Sequence, residues 1–444
     1  MKFARYYLCI ALIAAFAMPA FAGGTPDTRP ERVGISSDRL ERVTEQIKDD
    51  VEAGRIPGAV GMIARDGKLV YLEAFGESDT EKEKPMRTDD IFRIYSMSKP
   101  ITSVALMMLY EQGKFRLSDP VGMYIPELAD MQVLVEKGDA EGGPAFNIPE
   151  VDEDGNPIPA AEVDEDSYTT VPADRPITVQ DLLRHTAGFT YGFFGNTTVD
   201  KMYQAAGILT MDRDLQHMCE KLGKIPLQYQ PGTTWHYSVA VDVQGRLVEV
   251  LSGMAFDQYL EEKIFTPLGM PDTGFYVPEE KMDRFAQMYS PTEDGGLEVA
   301  NPMMSRNFVR KPTFFSGGGG LVSTADDYMR FCQMMLNGGE LDGVRLLSPK
   351  TIELMTSDHT TVIGDNPRRN SGYGFGLGFA VAKDLGMIGA PTSVGEFNWG
   401  GAAGTRFWID PEEKFIGIYM VQILPHPFAY GENFKIMAYQ TIVD

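Results

Sequence analysis

The amino-acid sequence predicts an α+β protein with two lobes: a sheet lobe assembled from both ends of the chain and a mainly helical lobe inserted into it. Strand-like runs occur towards both ends of the chain, whereas helix-like segments fill the middle. The chain has 444 residues, 43% of them hydrophobic and 11% aromatic, which is enough for more than one small core. We expect residues 23–95 and 305–444 to form the sheet lobe and residues 96–304 to form the helical lobe.

The first 22 residues have the pattern of a secretory signal peptide. Lys2 and Arg5 precede an apolar run that ends near Ala17, and small residues stand two apart just before Gly23. The apolar run is shorter than the ~20 residues that a membrane span needs, which disfavours a membrane anchor. We therefore expect an exported chain, periplasmic or secreted, with no membrane span after cleavage at Gly23.

The amino-terminal part of the sheet lobe is expected to contain one helix and two strands. Serines at positions 36 and 37 can cap a helix that runs to about Val51. Two β-prone runs follow at 58–64 and 68–75, and the Asp-Gly dipeptide between them is typical of a hairpin turn.

The middle and the end of the chain supply the remaining predicted elements. The segment from Ser96 to Gly113 is apolar nearly all round, which predicts a buried helix. An insertion at about 138–173 contains ten Asp and Glu but no Lys or Arg, so we expect a solvated segment there. Further helices are predicted at 179–184, 200–209, 241–251 and 433–443, and further strands at 374–381, 405–409 and 415–422.

Composition excludes several classes of function. The formal net charge of −23 repels phosphate backbones, so nucleic acid is not expected as a partner. Five scattered histidines offer no candidate metal site, and no dinucleotide or phosphate-binding glycine motif occurs in the sequence, so no cofactor is expected. Besides Cys9 in the signal segment, only Cys219 and Cys332 are present, which leaves one disulfide bond possible but excludes a disulfide scaffold.

A serine and a lysine three residues apart provide the first candidate for chemistry. Ser96-Met97-Ser98-Lys99 is the only Ser-x-x-Lys in the chain, and it opens the predicted buried helix. This spacing places both side chains on one helical face, so the amine can reach the hydroxyl. The unpaired N–H groups of a helix start also favour a developing oxyanion. Because one such spacing is expected by chance in a chain of this length, the motif alone does not identify a function.

The wider arrangement of motifs resembles the penicillin-recognising serine hydrolases. In those enzymes a Ser-x-x-Lys is followed by a Tyr-Ser motif and then by a Gly-rich strand start. Here the second and third motifs are Tyr237-Ser238-Val239 and Trp399-Gly400-Gly401. The segments 181–188, 267–275 and 317–325 also resemble the class C β-lactamase-like, or penicillin-binding-protein-like, family. The resemblance implies an antiparallel sheet flanked by amino- and carboxyl-terminal helices, with a mainly helical domain inserted.

The resemblance also implies roles for individual residues. Ser96 matches the nucleophile, Lys99 the buried amine beside it, and Tyr237 the phenol that relays protons. The backbone N–H groups of Ser96 and Ala402 match the oxyanion hole. A Ser-His arrangement with His185 is disfavoured, because this residue is expected in a structural turn; His236 is disfavoured because it is expected to point away from its neighbour.

The predicted substrate contacts depart from the β-lactamase pattern at two positions. Val239 stands where those enzymes usually carry an Asn, and Trp399 stands where they carry a Lys that faces the substrate carboxylate. Trp399, Gly400 and Gly401 are expected to line the cleft, and this Trp-Gly-Gly is similar to the family VIII carboxylesterases. Loss of a charged or polar partner costs about 2 kcal/mol per contact, which is enough to change the preferred substrate.

We therefore expect a serine hydrolase that forms an acyl-enzyme on Ser96 and acts on a small-molecule ester or amide. A carboxylesterase for small esters is favoured. A β-lactamase or a D-alanyl-D-alanine carboxypeptidase is the alternative, and a non-catalytic binding protein with the same cleft is a third possibility. Nothing in the sequence indicates the oligomeric state.

Overall fold

The fold was analysed in a computed structural model of the chain. The residues that the structure describes are 26–137, 163–210, 213–301, 308–364, 371–426 and 429–444. The predicted signal peptide at 1–22 and most of the acidic insertion lie outside these residues.

The described chain combines short and long strands with helices. The strands are β1 Gly58–Arg65, β2 Lys68–Asp79, β3 Lys84–Pro85, β4 Phe92–Arg93, β5 Gln132–Glu136, β6 Tyr168–Pro172, β7 Tyr289–Pro291, β8 Leu297–Val299, β9 Val322–Ser323, β10 Glu340–Leu341, β11 Val344–Arg345, β12 Tyr373–Phe375, β13 Ala380–Ala382, β14 Phe397–Gly400, β15 Arg406–Asp410 and β16 Phe415–Met420. The helices are α1 Ser37–Glu52, α2 Ser98–Glu111, α3 Val179–Leu183, α4 Thr198–Ala206, α5 Leu215–Leu222, α6 Ala240–Ser252, α7 Phe256–Leu260, α8 Thr266–Leu268, α9 Ala325–Leu336, α10 Pro349–Met355, α11 Leu385–Ile388 and α12 Ala429–Gln440.

An eight-stranded antiparallel sheet forms the centre of the molecule, in the order β12-β13-β14-β15-β16-β1-β2-β3. Strand β1 from the start of the chain pairs with β16 from its end, with Val60 opposite Met420 and Arg65 opposite Phe415. The two ends of the chain therefore meet inside one sheet, and the helices between them are inserted. The predicted α+β class with an antiparallel sheet is confirmed.

Helices cover both faces of this sheet. Helix α1 buries Leu40, Val43 and Ile47, the stripe that its sequence periodicity predicts, and packs beside α12. Helix α9 packs against β15 and β16. Burial of these apolar faces against the strands is the main stabilising term for such a layered fold.

Helix α2 joins the sheet to the helical part of the molecule. Every residue from Ser98 to Met107 is buried, and α2 packs mainly against α6. The three-residue turn Tyr95–Met97 that precedes α2 packs beside β14. The start of this buried helix is thereby fixed beside β14, an interior strand of the sheet, where the candidate nucleophile lies.

One local expectation required correction. The run 374–381 was expected to be one strand, but it forms β12 and β13 with a turn between them, in which Gly378 adopts a φ of 102°. A left-handed φ of this kind favours glycine and interrupts a strand. The described end of the acidic insertion forms β6, which pairs antiparallel with β5 and is mostly exposed, as expected for a solvated segment.

Cys219 in α5 and Cys332 in α9 are both buried and free, so the possible disulfide bond is not formed. Burial raises the pKa of both thiols, which makes them inert packing groups. Among the described residues, no helix is both long and apolar enough to cross a bilayer.

Candidate active site

Ser96 lies in a turn that the fold holds under strain. Its neighbour Tyr95 has a φ of 40°, a left-handed value that costs free energy for a residue other than glycine. The turn is held on both sides, because the Tyr328 hydroxyl donates to the Met97 carbonyl (2.9 Å) and the Leu321 N–H donates to Ser98 Oγ (3.1 Å). These contacts fix the direction in which the Ser96 side chain leaves the backbone.

Lys99 lies directly behind Ser96 and is only 1% exposed. Its Nζ donates to Ser96 Oγ (3.2 Å), to the Tyr191 hydroxyl (3.1 Å) and to the Gly318 carbonyl (2.5 Å). These three acceptors match the three N–H bonds of an ammonium group. The amine is therefore held beside the serine hydroxyl, with little freedom to turn away.

Tyr237 reaches Ser96 from the other side. Its hydroxyl donates to Ser96 Oγ (2.7 Å), and Lys99 Nζ lies 4.5 Å from the centre of its ring. The ring also packs against Tyr191 and Trp399, with centres 5.4 Å and 5.6 Å away. The structure thus brings Ser96, Lys99 and Tyr237 together, although 141 residues separate Tyr237 from Ser96.

A hydrogen-bonded turn supports Tyr237 from beneath. His185, with a φ of 58°, packs its ring 5.0 Å from the ring of Tyr237, and its carbonyl accepts a bond from the His236 N–H (2.9 Å). The turn is anchored by Asp181, which accepts bonds from Arg175 and from other donors of the turn. Although burial opposes it, these bonds lower the pKa of Asp181 to about 2. Asp181 and His185 therefore act as structural supports for the tyrosine.

A second group of buried polar residues lies behind Lys99. Asp242 of α6 accepts hydrogen bonds from Ser316 Oγ (2.5 Å) and from the Gly318 N–H (3.1 Å). Its other oxygen, Oδ2, has no hydrogen-bond partner among the described residues, and burial raises the pKa of its carboxyl group. A side chain at Gly318 would approach this oxygen and the Tyr191 hydroxyl to 2.7 Å, so the glycine is required by close packing.

The residues that follow β14 pass close to the segment that leads into Ser96. A Cβ atom on Gly401 would lie 2.5 Å from the Ile94 carbonyl and 2.2 Å from Thr405 Oγ1, so only glycine permits this approach. The next residue, Ala402, lines the same cavity as Ser96. The Ala402 N–H makes no hydrogen bond within the described part of the chain, which leaves it available to an oxyanion.

Ser96 opens into a cavity of 1110 Å³. Aromatic rings, glycine backbone and one charged pair form parts of the cavity wall. The lining residues include Ser96, Phe194, Trp235, Tyr237, Tyr373, Trp399, Gly400, Gly401, Ala402, Arg406, Leu424, Pro425, His426, Gly431 and Glu432. A cavity of this size can hold a drug-sized molecule.

The arrangement brings together Ser96, Lys99 and Tyr237, which the sequence motifs identified, and comparison with known families supports the family resemblance. A family model described as Beta-lactamase matches residues 43–440. The chain belongs to the Beta-lactamase family. Members of this family with this fold include serine hydrolases of several specificities, so membership alone does not identify the substrate.

Individual relatives include esterases. Protein Rv1367c of Mycobacterium tuberculosis is 36% identical over 85% of this chain and 89% of its own length. Esterase EstB of Burkholderia gladioli is 29% identical over 84% of this chain and 86% of its own length. Among solved structures, EstCE1, a hydrolase with promiscuous acyltransferase activity, is 26% identical with a TM-score of 0.69, covering 90% of this chain and 98% of its own.

Val239 does not reach the cavity. It is 0% exposed, packs in the core, and donates its N–H to the Thr190 carbonyl (3.2 Å). This corrects the expectation that Val239 contacts substrate: the residue immediately precedes α6, and its side chain fills the interior instead.

Several residues of the site belong to none of the sequence motifs. Tyr191 and Asp242, behind the lysine, were not predicted, and neither were Arg406 and Glu432 in the cavity wall. The one available signal was Asp242, a charged residue between Val241 and Val243 in a segment that the pattern predicts to be a buried helix. A charge in such a position is seldom buried without a specific partner.

Proposed function

We propose that the chain is a serine carboxylesterase that forms an acyl-enzyme on Ser96. The observation that carries this proposal is the position of Ser96 Oγ, 3.2 Å from Lys99 Nζ and 2.7 Å from the Tyr237 hydroxyl, at the wall of a large cavity. A nucleophile within hydrogen-bond reach of a base that is itself held in place is the arrangement that nucleophilic catalysis requires.

In the proposed mechanism Ser96 Oγ forms a bond to the ester carbonyl carbon and gives its proton to the Lys99–Tyr237 pair. One member of that pair must enter the reaction without its proton. The carbonyl oxygen becomes negative and accepts hydrogen bonds from the Ser96 and Ala402 N–H groups. Cleavage of the carbon–oxygen bond releases the alcohol, which takes the proton back from the pair. Water then repeats these steps on the acyl-enzyme and releases the acid.

The character of the cavity near Ser96 supports an ester as the substrate. Trp399 occupies the place of a carboxylate-binding lysine, and its ring packs against Tyr237 and Phe375. Phe194 and Trp235 extend this aromatic wall. A neutral ester loses little on entering such a site, whereas an anionic β-lactam loses hydration without gaining the carboxylate-binding lysine that Trp399 replaces. The relative EstB, an esterase, agrees with this preference.

Substrate comparison tests the proposal. We expect kcat/KM for p-nitrophenyl butyrate to exceed that for a chromogenic cephalosporin by at least ~100-fold, which corresponds to about 2.7 kcal/mol of differential transition-state binding. The Ser96→Ala variant, measured with both substrates, corrects for turnover that does not use the serine.

Three other results would each contradict the proposed esterase function and indicate a different one. Equal hydrolysis of the cephalosporin would indicate a β-lactamase, and preferential release of D-alanine from a D-alanyl-D-alanine peptide would indicate a carboxypeptidase. Binding of these ligands with no turnover of any of them would indicate a non-catalytic binding protein.

A further inference from the structure

Arg406 and Glu432 form a charged pair in the wall of the cavity that contains Ser96. Arg406 begins β15 and Glu432 lies in α12; Nη1 of the arginine donates to Oε2 of the glutamate. Their side chains are 26% and 37% exposed, so both are accessible from the cavity. The neighbouring wall, formed by Leu424, Pro425 and Gly431, is apolar.

This pair dominates the charge of the cavity. Among the described residues that line it, Arg406 and Glu432 are the ones with side chains charged at neutral pH. His426 beside them is neutral, because burial and then the charge of Arg406 lower its pKa to about 4. Lys99 carries its polar group behind Ser96 and is buried away from this wall. The positive charge of Arg406 is therefore balanced within the wall by Glu432 alone.

The pair also has hydrogen-bonding capacity beyond its own contact. A guanidinium group carries five N–H donors in a fixed fork, and a carboxylate has two acceptor oxygens, whereas the contact between Arg406 and Glu432 joins one atom of each. A neutral group with a carbonyl, hydroxyl or amide can bind beside both. A carboxylate that approaches the arginine must instead lie next to the negative charge of Glu432, which is repulsive.

We propose that Arg406 and Glu432 form a specificity subsite that accepts the uncharged polar part of an ester substrate, and that Glu432 prevents Arg406 from binding anionic esters. This proposal rests on the esterase function proposed above. It identifies the substrate class as neutral esters that carry a hydrogen-bonding group besides the ester itself.

Charge discrimination among matched esters tests this subsite. The set consists of p-nitrophenyl butyrate, the p-nitrophenyl hemiester of succinate with its carboxylate in the acyl part, and the butyrate ester of p-hydroxybenzoate with its carboxylate in the alcohol part. The readout is the ratio of kcat/KM for each anionic ester to that for the neutral one, so that a general loss of activity cancels. We expect Glu432→Gln to raise this ratio by about 10-fold or more for at least one anionic ester, since a hydrogen bond to a charged group gains that much.

Two further variants separate the subsite from a general charge effect. Adding Arg406→Gln to Glu432→Gln should return the ratio to within about 3-fold of its wild-type value. Glu340→Gln removes the same charge from the Arg345–Glu340 pair, which is similarly exposed at 46% and 41% but lies outside the cavity, and should leave the ratio unchanged. Two results would overturn the proposal. One is a ratio in Glu432→Gln that stays within about 3-fold of the wild-type ratio for both anionic esters. The other is a rise of the ratio in Glu340→Gln as large as that in Glu432→Gln.

A binding measurement keeps this test separate from the esterase proposal. The dissociation constant of p-nitrobenzoate, which contains no ester, should fall about 10-fold in Glu432→Gln when measured by calorimetry. If the wild type hydrolyses no ester but this shift occurs, the esterase function fails and the anion-excluding subsite stands. If the wild type hydrolyses butyrate but neither the binding nor the ratio shifts, the subsite fails alone.

Discussion

The Ser96→Ala variant is expected to lose at least ~10⁴-fold in kcat/KM for p-nitrophenyl butyrate, because it lacks the atom that forms the acyl-enzyme. The fold should persist, since Ser96 is partly exposed and, among the described residues, its hydroxyl bonds only to Lys99 and Tyr237. Rates measured with purified protein, together with a thermal melting curve, check both statements.

Ser98→Ala is the matched control for this variant. It removes a hydroxyl two residues away, whose oxygen accepts a bond from the Leu321 N–H rather than facing the cavity. We expect Ser98→Ala to lose about 1 kcal/mol of stability and to keep most of its turnover. If Ser96→Ala keeps as much activity as Ser98→Ala, the nucleophile is another residue.

Tyr237→Phe is expected to produce the second-largest loss, about 10³-fold in kcat, because proton transfer by a positioned side chain contributes roughly that much. The change removes the 2.7 Å hydrogen bond to Ser96 and keeps the aromatic ring in its packing. Thermal stability should change little, and measurement of kcat and KM separately should place the loss in kcat.

Tyr191→Phe offers a comparison within the same aromatic cluster. Its hydroxyl accepts a hydrogen bond from Lys99 (3.1 Å) and, within the described part of the chain, makes none to Ser96. Lys99 would keep its bonds to Ser96 and Gly318, so we expect a loss of only about 10-fold. A larger loss in Tyr191→Phe than in Tyr237→Phe would move the proton relay to Tyr191.

The sequence predicted the local part of the site better than its distant parts. Ser96 and Lys99 are three residues apart, so helical geometry alone brings them together. The role of Tyr237 was predicted from the family resemblance, because helical or strand periodicity does not connect residues that are so far apart in the sequence. Arg406 and Glu432 meet only because α12 packs across the sheet, and such a contact has no pattern in the sequence.

The fold was predictable where periodicity is strong. The apolar stripe of α1 and the continuous apolar surface of α2 lie where the sequence indicates. The segment 374–381 was misassigned because its β-prone residues outweighed Gly376 and Gly378, which allow the chain to turn between β12 and β13. The signal peptide at 1–22, and export with it, stay predictions because they fall outside the described residues.

Covalent trapping of the nucleophile tests the central claim most directly. A fluorophosphonate reacts with an activated serine and leaves a stable adduct, which peptide mapping by mass spectrometry can place on one residue. We predict one phosphonyl group per chain, on Ser96, with esterase activity lost in proportion to labelling and no adduct in Ser96→Ala. An adduct on another residue that accompanies the loss of activity, or full labelling of Ser96 with activity retained, would contradict the account.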